Sequence, residues 1–186
     1  MGRGRLPCLV LTSGGVDSAA CLSYYLHRRH SVRALFVDYL QPARVMEAKA
    51  ASAICRTFDV RLESSQVTGP RIQTGAIHGR NGLLLHLALM AVTFDAGLVC
   101  LGVHAGTRYP DCSPLFLERV QALYDLYSAG RVRIDAPFVN WSKRDVYDFA
   151  VQQGVPVHLT YSCLAGTEPP CGVCESCRDV ESLCVG

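Results

Sequence analysis

The sequence predicts a doubly wound α/β fold, in which helices cover both faces of a five-stranded parallel sheet. Short apolar runs alternate with longer segments whose apolar residues recur at helical spacing, as far as Gln153. The first apolar run leads at once into a glycine pair and a helix-like segment, as in a strand–turn–helix unit. With 186 residues, of which 49% are hydrophobic, the chain has enough apolar material for one buried core.

Five segments are predicted as strands because they are short, apolar and bounded by turn residues. In chain order they are residues 8–11, 32–38, 59–63, 98–103 and 132–138. Strands that alternate with helices pair in parallel through right-handed crossovers, and their ligands bind beyond the carboxyl ends of the strands. The loops that follow the first, second and fourth strands should therefore meet at one edge of the sheet.

Five segments are predicted as helices from their apolar periodicity. In chain order they are residues 19–26, 43–58, 81–96, 114–129 and 143–153. Ser142 is the expected N-cap of the last helix, and Gly97, Gly130 and Gly154 are expected helix stops. The stretch 64–78, which contains glycine and proline, is expected to be a loop.

Charge and cysteine usage limit the classes of function. Lys and Arg number 18 against 16 Asp and Glu, so charge demands neither a nucleic acid nor a membrane partner. No apolar run approaches the roughly 20 residues of a membrane span, and the basic residues 1–5 lead into a strand rather than a signal peptide. Of ten cysteines, four lie in apolar strand or helix patterns typical of buried thiols: Cys8, Cys21, Cys55 and Cys100. We therefore expect a cytoplasmic protein.

Residues 12–18, Thr-Ser-Gly-Gly-Val-Asp-Ser, form the predicted turn between the first strand and the first helix. The adjacent Gly14 and Gly15 let the backbone approach a ligand, and the helix start behind them presents unpaired N–H groups at a positive dipole end. Ser13 and Ser18 add hydroxyl donors. The pattern predicts a phosphate-binding loop that is neither a Walker loop nor a dinucleotide fingerprint. A tight turn without a ligand is the alternative.

Four cysteines near the end of the sequence have metal-ligand spacing, C-x7-C-x2-C-x2-C: Cys163, Cys171, Cys174 and Cys177. Glycines and prolines between them allow four thiolates to converge, which is typical of a closed structural zinc site. A disulfide pair or an iron–sulfur cluster would use the same residues. Cys184 falls outside the pattern.

The phosphate loop resembles the PP-loop of the ATP pyrophosphatases, which split ATP into AMP and pyrophosphate and adenylate an oxygen of their substrate. Three further motifs accompany it: Gly-Arg-Asn at 79–81, Tyr-Pro-Asp-Cys at 109–112 and the cysteine pattern within 160–178. Together they resemble the 7-cyano-7-deazaguanine synthases, also called QueC or ExsB, over nearly the whole chain.

The resemblance implies two domains, a PP-loop α/β domain over residues 1–157 and a zinc-binding segment over 158–186 that packs on it. Three positions depart from the usual pattern of the family on the substrate side. Leu40 and Pro42 stand where the family usually has glycine and arginine, and Ser113 stands where it usually has arginine.

The resemblance also implies the reaction. ATP and Mg²⁺ would activate the carboxylate of 7-carboxy-7-deazaguanine, ammonia would give the amide, and a second ATP would give the nitrile. The implied assembly is a homodimer. One alternative is a QueC-like enzyme of an antiphage system that passes the activated deazaguanine to a protein or another amine. Another is a non-catalytic nucleotide-binding interaction module.

Site residues follow from the same resemblance. It implies ATP binding by Thr12, Ser13, Gly14, Gly15, Val16, Asp17, Ser18 and Asp38. It implies catalytic roles for Asp17, Arg80 and Lys143. It implies substrate binding by Asn81, His104, Tyr109 and Asp111, with Tyr109 stacking on the ring and Asp111 accepting from its N–H edge.

The role of each of the following residues also has a simpler interpretation. Asp17 would hold Mg²⁺ on the phosphates or cap the first helix. Asp111 would bind the base or occupy a turn. His104 would contact a ligand or shape its own loop. Arg80 and Lys143 would neutralise pyrophosphate or lie in solvent.

Overall fold

The computed structural model describes residues 5–69 and 77–184. Five parallel strands form one sheet in the order β3-β2-β1-β4-β5, which confirms the predicted fold class. The strands are β1 Pro7–Leu11, β2 Ser31–Asp38, β3 Arg61–Gln66, β4 Gly97–Cys100 and β5 Val132–Asp135. The described residues also form six α-helices: α1 Val16–His27, α2 Arg44–Thr57, α3 Arg80–Ala91, α4 Pro114–Ser128, α5 Lys143–Gln152 and α6 Glu175–Cys184.

Helices cover both faces of the sheet because the side chains of β1 alternate between two cores. Cys8 and Val10 face a core shared with α1, α2 and α5, in which Tyr25 and Phe138 are the largest fully buried side chains. Leu9 and Leu11 face the other core, shared with α3 and α4. The doubly wound arrangement thus follows from a strand that is apolar on both faces.

The predicted helix 81–96 is too long, and Gly97 is not a helix stop. α3 ends at Ala91, and Val92 is already in an extended conformation. Gly97 begins β4, where an added Cβ would lie 2.4 Å from the carbonyl oxygen of Pro7. Glycine is therefore required at this position because the backbone of β1 passes so close.

Strand boundaries differ from the prediction where the chain turns. The fourth and fifth predicted strands each run three residues too long, because the chain leaves the sheet after Cys100 and Asp135. β3 begins later than predicted, since Asp59 lies in a turn with φ +53°. It extends to Gln66 and so occupies the start of the predicted loop 64–78, of which residues 70–76 lie outside the described part.

α6 was not predicted as a helix. Its sequence, Glu-Ser-Cys-Arg-Asp-Val-Glu-Ser-Leu-Cys, is mostly polar, and its first cysteine belongs to the metal-ligand pattern. Arg144 holds its end, donating to the carbonyl oxygens of Leu183 at 3.0 Å and Ser182 at 3.2 Å. The helix is thus fixed by contacts with α5 that no local pattern reveals.

The chain reverses its direction of winding at β1. β2 and β3 extend the sheet on one side of β1, whereas β4 and β5 extend it on the other. The carboxyl ends of β1 and β4 therefore flank a crevice, which is where open α/β sheets bind ligands. No α-helix within residues 5–69 and 77–184 is long and apolar enough to cross a bilayer.

Candidate active site

A cavity of about 320 Å³ opens at the carboxyl edge of the sheet, over the crevice between β1 and β4. One wall is the loop after β1 with the start of α1, and a second is the loop after β4. Residues 161–164 and one face of α6 form a third wall. Ten predicted site residues line this cavity: Thr12, Ser13, Gly15, Asp17, Ser18, Arg80, Asn81, His104, Tyr109 and Lys143.

Four of the residues predicted to bind ATP or the substrate do not line the cavity. Val16 is buried in the core under α1. Asp38 accepts the N–H of Leu40 at 2.8 Å and borders a separate open cleft along α2. Gly14 faces α2, and Asp111 faces the start of α3; their contacts are described below.

The two glycines of the phosphate loop have different roles. Gly14 has φ +82°, and an added Cβ would lie 2.6 Å from the Glu47 carbonyl oxygen and 2.8 Å from the Ala51 nitrogen. It therefore lets α2 pack against the loop. Gly15 has an ordinary φ of −79°, and its nearest neighbours would be 3.5 Å or more from an added Cβ. Only Gly15 lies on the cavity wall.

The serines of the loop stabilise its turn. The Ser13 hydroxyl accepts the N–H of Gly15 at 3.4 Å, and the Ser18 hydroxyl donates to the Gly15 carbonyl at 2.9 Å. The two hydroxyl oxygens lie 3.5 Å apart. The backbone is thus held with the start of α1 at the cavity, as an anion site requires.

Asp17 and Lys143 form the strongest charge pair at the cavity. Asp17 lies in the first turn of α1 and Lys143 is the first residue of α5. The Lys143 Nζ donates to both carboxylate oxygens of Asp17, at 2.7 and 2.6 Å. Each side chain is about three-quarters buried, so solvent screens this pair less than a surface salt bridge.

His104 completes this charged group from the loop after β4. It is buried, and its Nε2 lies 3.8 Å from the nearer carboxylate oxygen of Asp17. Its Nδ1 accepts the Gly106 N–H at 3.1 Å, which places the proton of the neutral ring on Nε2. Burial lowers the pKa of His104, and Lys143 lowers it further against the opposing effect of Asp17. The ring is therefore neutral at pH 7.

Asp111 and Asn81 join the loop after β4 to α3. The Asp111 carboxylate accepts the Asn81 N–H at 3.1 Å, and the Asn81 side chain donates to the Asp111 carbonyl at 3.0 Å. Gly79, at the N-cap of α3, offers no side chain for this role. Asp111 thus caps α3 from a distant loop. Burial raises the pKa of the adjacent Cys112 thiol, so that Cys112 is protonated at pH 7.

A polar cluster after β2 was not predicted. The Gln41 amide donates to Glu47 at 2.8 Å and to the Val37 carbonyl at 3.3 Å, and its oxygen accepts the Tyr39 N–H at 2.9 Å. Burial raises the pKa of Glu47, although Gln41 and Arg80 oppose the shift. The available signal was the polar Gln41 in the loop after an apolar strand, followed by Glu47 in the first turn of a helix.

Leu40 has φ +64°, the left-handed conformation that favours glycine. It occupies the position at which the resembled family usually has glycine. The backbone of the loop after β2 therefore keeps a glycine-like turn although a leucine fills it.

The third wall of the cavity belongs to the C-terminal segment. The Tyr161 N–H donates to the Gly14 carbonyl at 2.9 Å, which ties the segment to the phosphate loop. Gly166 packs against Pro42, whose carbonyl oxygen would lie 2.3 Å from an added Cβ. The Tyr109 hydroxyl donates to Glu175 of α6 at 3.2 Å.

The four predicted metal ligands converge beside this wall. Their sulfur atoms all lie within 4.8 Å of one another, and all four are free thiols, so they could hold a metal ion. Burial opposes ionisation of Cys163, but N–H donors from Cys171 and Ala165 outweigh it and lower the pKa of that thiol to about 5. The arrangement thus favours at least one thiolate at pH 7.

Comparison with known proteins links this site to one family. The family model described as "Queuosine biosynthesis protein QueC" matches residues 7–72 and 60–182. A 7-cyano-7-deazaguanine synthase from Synechococcus sp. (strain CC9605) is 33% identical over 201 residues, covering 91% of this chain and 88% of that protein. The one from Aquifex aeolicus (strain VF5) is 31% identical and covers 96% of each.

Solved structures share the fold at lower identity. The U34-tRNA thiolase NcsA from Methanococcus maripaludis, solved with its [4Fe-4S] cluster, matches with TM-score 0.59 and 12% identity, over 99% of this chain and 66% of that one. The NMN synthetase from Francisella tularensis matches with TM-score 0.55 and 17% identity, over 88% and 68%.

Proposed function

The chain belongs to the QueC family, and from that premise we propose that it converts 7-carboxy-7-deazaguanine to 7-cyano-7-deazaguanine with ATP and ammonia. Its relatives are named as synthases of that product. The observation that carries the proposal is the convergence of the phosphate loop, the Asp17–Lys143 pair and Arg80 on one cavity.

The reaction proceeds in two rounds of adenylation. In the first, a substrate carboxylate oxygen attacks the α-phosphorus of ATP, pyrophosphate leaves, and ammonia displaces AMP from the acyl-adenylate to give the amide. In the second, the amide oxygen attacks the α-phosphorus of another ATP and pyrophosphate leaves. Loss of that oxygen with AMP, and of two protons from nitrogen, then gives the nitrile. The protein has to orient the reactants and stabilise negative charge on the phosphates.

The residues present fit the binding of a nucleotide triphosphate. Backbone N–H groups of residues 13–18 and the start of α1 would bind phosphate oxygens. Lys143 and Arg80 supply positive charge at the same cavity. To bind a phosphate, Lys143 would give up at least one of its contacts with Asp17. His104 is a positioning residue in this scheme, because its Nε2–H faces Asp17.

Asp17 also fits Mg²⁺, which is bound by oxygen ligands and accompanies ATP in such reactions. When bound, the ion would add positive charge to the phosphates. Lys143 holds both oxygens of Asp17 in this structure, so it would have to release at least one of them.

For the cysteine cluster we propose one zinc ion. Zinc–sulfur bonds of about 2.3 Å in a tetrahedron separate the sulfurs by about 3.8 Å. The Cys171 and Cys177 sulfurs lie 4.0 Å apart, and no pair exceeds 4.8 Å. A [4Fe-4S] cluster binds each thiolate to a different iron and so requires wider spacing. With four protein ligands the ion would be structural.

We also propose a domain organisation, a cellular setting and an oligomeric state for the protein. Residues 1–157 would form the nucleotide-binding domain, and 158–186 the zinc-binding segment packed on it. Free thiols at all nine cysteines whose side chains are described support a reducing, cytoplasmic setting. Exposed apolar side chains on α3 and α4, among them Met90 and Leu126, support a homodimer, which light scattering would test.

The test is product analysis after incubation with ATP, Mg²⁺, ammonium and 7-carboxy-7-deazaguanine. Mass spectrometry should find the nitrile, with AMP and pyrophosphate formed only when the deazaguanine is present. Asp17→Asn should lower kcat/KM roughly a hundredfold or more, because it weakens the carboxylate site that would hold Mg²⁺ on the phosphates and removes the anion that orients Lys143. Asp148→Asn, which removes a carboxylate 3.9 Å from Arg144 on the exposed side of α5, is the matched control. Absence of deazaguanine-dependent AMP from folded, metal-loaded protein would contradict the proposal.

A further inference from the structure

We infer that Glu47 is the residue that recognises the N–H edge of the deazaguanine ring, a role that the sequence predicts for Asp111. The inference rests on the proposed function. It makes Glu47 a specificity-determining residue for the base rather than a part of the phosphate site.

Asp111 is poorly placed for this role. One of its carboxylate oxygens already accepts the Asn81 N–H, and its carbonyl accepts the Asn81 side chain. It does not line the cavity. Using Asp111 to bind a base would uncap α3, and losing a helix cap typically costs about 1 kcal/mol.

Glu47, unlike Asp111, is placed to contact a ligand in the cavity. It lines the cavity, and one of its carboxylate oxygens is held by the Gln41 amide at 2.8 Å. Gln41 is itself buried and fixed by Val37 and Tyr39, so it sets the orientation of the carboxylate. The other oxygen, Oε1, accepts no hydrogen bond from any residue within 5–69 and 77–184. The carboxylate therefore has acceptor capacity left and a fixed direction.

The chemistry of a carboxylate matches a guanine-like ring. That ring presents two neighbouring donors, the ring N1–H and the 2-amino group, and a carboxylate accepts from two donors at once. Adenine presents one donor beside one acceptor on the equivalent edge, so an ionised carboxylate would face the adenine N1 lone pair. Glu47 thus favours the deazaguanine over the base of ATP.

The electrostatics around Glu47 support the binding of a ligand that donates hydrogen bonds to its carboxylate. Burial raises the pKa of Glu47, and the opposing effects of Gln41 and Arg80 do not cancel the shift. Asp38 raises it further. A partly buried carboxylate with unfilled acceptor capacity in a cavity is a common feature of binding sites. Two N–H donors from a ligand would stabilise its ionised form.

The first test replaces Glu47 by Gln, which keeps the size and still offers Gln41 an acceptor. The amide nitrogen of the new side chain would then face a ring N–H, so that two donors meet. The KM for the deazaguanine should therefore rise roughly ten- to hundredfold. The KM for ATP should stay within about threefold of the wild-type value. Glu118→Gln, on the exposed side of α4, is the matched control and should change neither constant.

The second test needs no variant. A substrate analogue in which hydrogen replaces the 2-amino group should bind the wild-type protein roughly tenfold more weakly than the deazaguanine itself. Titration calorimetry measures both affinities directly. In Glu47→Gln the preference for the 2-amino compound should disappear. Equal affinity of the two compounds for the wild-type protein would overturn the inference.

Thermal unfolding separates recognition from a structural role. An acid whose pKa is raised in the fold destabilises the native state as pH rises through that pKa, because the unfolded chain ionises more readily. Removing the charge should therefore leave the Tm at pH 7 unchanged or higher. If the charge of Glu47 held the loop after β2 in place, Glu47→Gln would lower the Tm although Gln41 keeps its acceptor, and that result would count against recognition.

Failure of the inference can be told from failure of the proposed function. A wild-type protein that forms the nitrile, with a Glu47→Gln variant impaired for ATP but not for the deazaguanine, would overturn the inference alone. A wild-type protein that binds ATP but never consumes the deazaguanine would overturn both.

Discussion

Two walls of the cavity are built in different ways. The phosphate-loop wall joins β1 to α1, and it lies on the two cores of the sheet, in which Leu9, Val10 and Leu22 are fully buried. The C-terminal wall comes from residues 158–184, in which Cys163 and Leu183 are the buried ones among the side chains described. One wall is held by burial and the other by a few specific contacts.

The two walls should therefore respond differently when individual contacts are removed. A segment with little buried apolar surface cannot offset the entropy of its own ordering. The C-terminal wall must therefore depend on the cysteine cluster and on its contacts with Gly14, Pro42 and Arg144. The phosphate-loop wall should persist without them, because β1 lies between β2 and β4 in the sheet.

Removal of the proposed zinc ion should have the largest effect. Structural zinc supplies on the order of 10 kcal/mol of folding free energy, so chelation or Cys174→Ser should disorder residues 158–184. Hydrogen exchange should then rise across that segment and stay low in β1 and α1. Metal analysis should find about one zinc per chain in the wild-type protein, and less in Cys174→Ser.

Val173→Ala is the matched control for that experiment, since Val173 is 69% exposed between two ligands. It should retain the metal and the protection of the segment. Uniform unfolding of the whole chain after chelation would show that the two walls are not independent. Iron and sulfide in the purified protein would contradict zinc.

Sequence patterns predicted the phosphate-loop wall better than the C-terminal wall. The loop after β1 and the five strands were recognisable because apolar periodicity and adjacent glycines are local signals. α6 and the Gln41–Glu47 contact were missed because they depend on residues brought together from different elements. Asp111 shows the same limit: the family resemblance implied a base ligand at this position, but only the fold reveals that Asp111 caps α3.

The glycines of the phosphate loop should show the next largest effect. Gly14→Ala forces a left-handed conformation, at about 1–2 kcal/mol, and overpacks α2, at about 1–3 kcal/mol. Chemical denaturation should therefore show a loss of roughly 2–5 kcal/mol. Gly15→Ala should change stability by less than about 1 kcal/mol and instead raise the KM for ATP, because its side chain would enter the cavity wall. Equal destabilisation by the two variants would contradict the assignment of Gly14 to packing.

Tyr109 should show the smallest effect, and it connects the loop after β4 to the C-terminal wall. Its hydroxyl contacts Glu175 of the C-terminal wall, whereas its ring is the predicted stacking surface for the deazaguanine. Tyr109→Phe removes one partly exposed hydrogen bond, worth about 0.5–1 kcal/mol, so the KM for the deazaguanine should change by less than about fivefold. Tyr109→Ala also removes the ring, and because stacking contributes about 1–3 kcal/mol per base, its KM should rise roughly tenfold or more. If Phe were as damaging as Ala, the hydroxyl contact would be what matters, and Tyr109 would act by holding α6 in place.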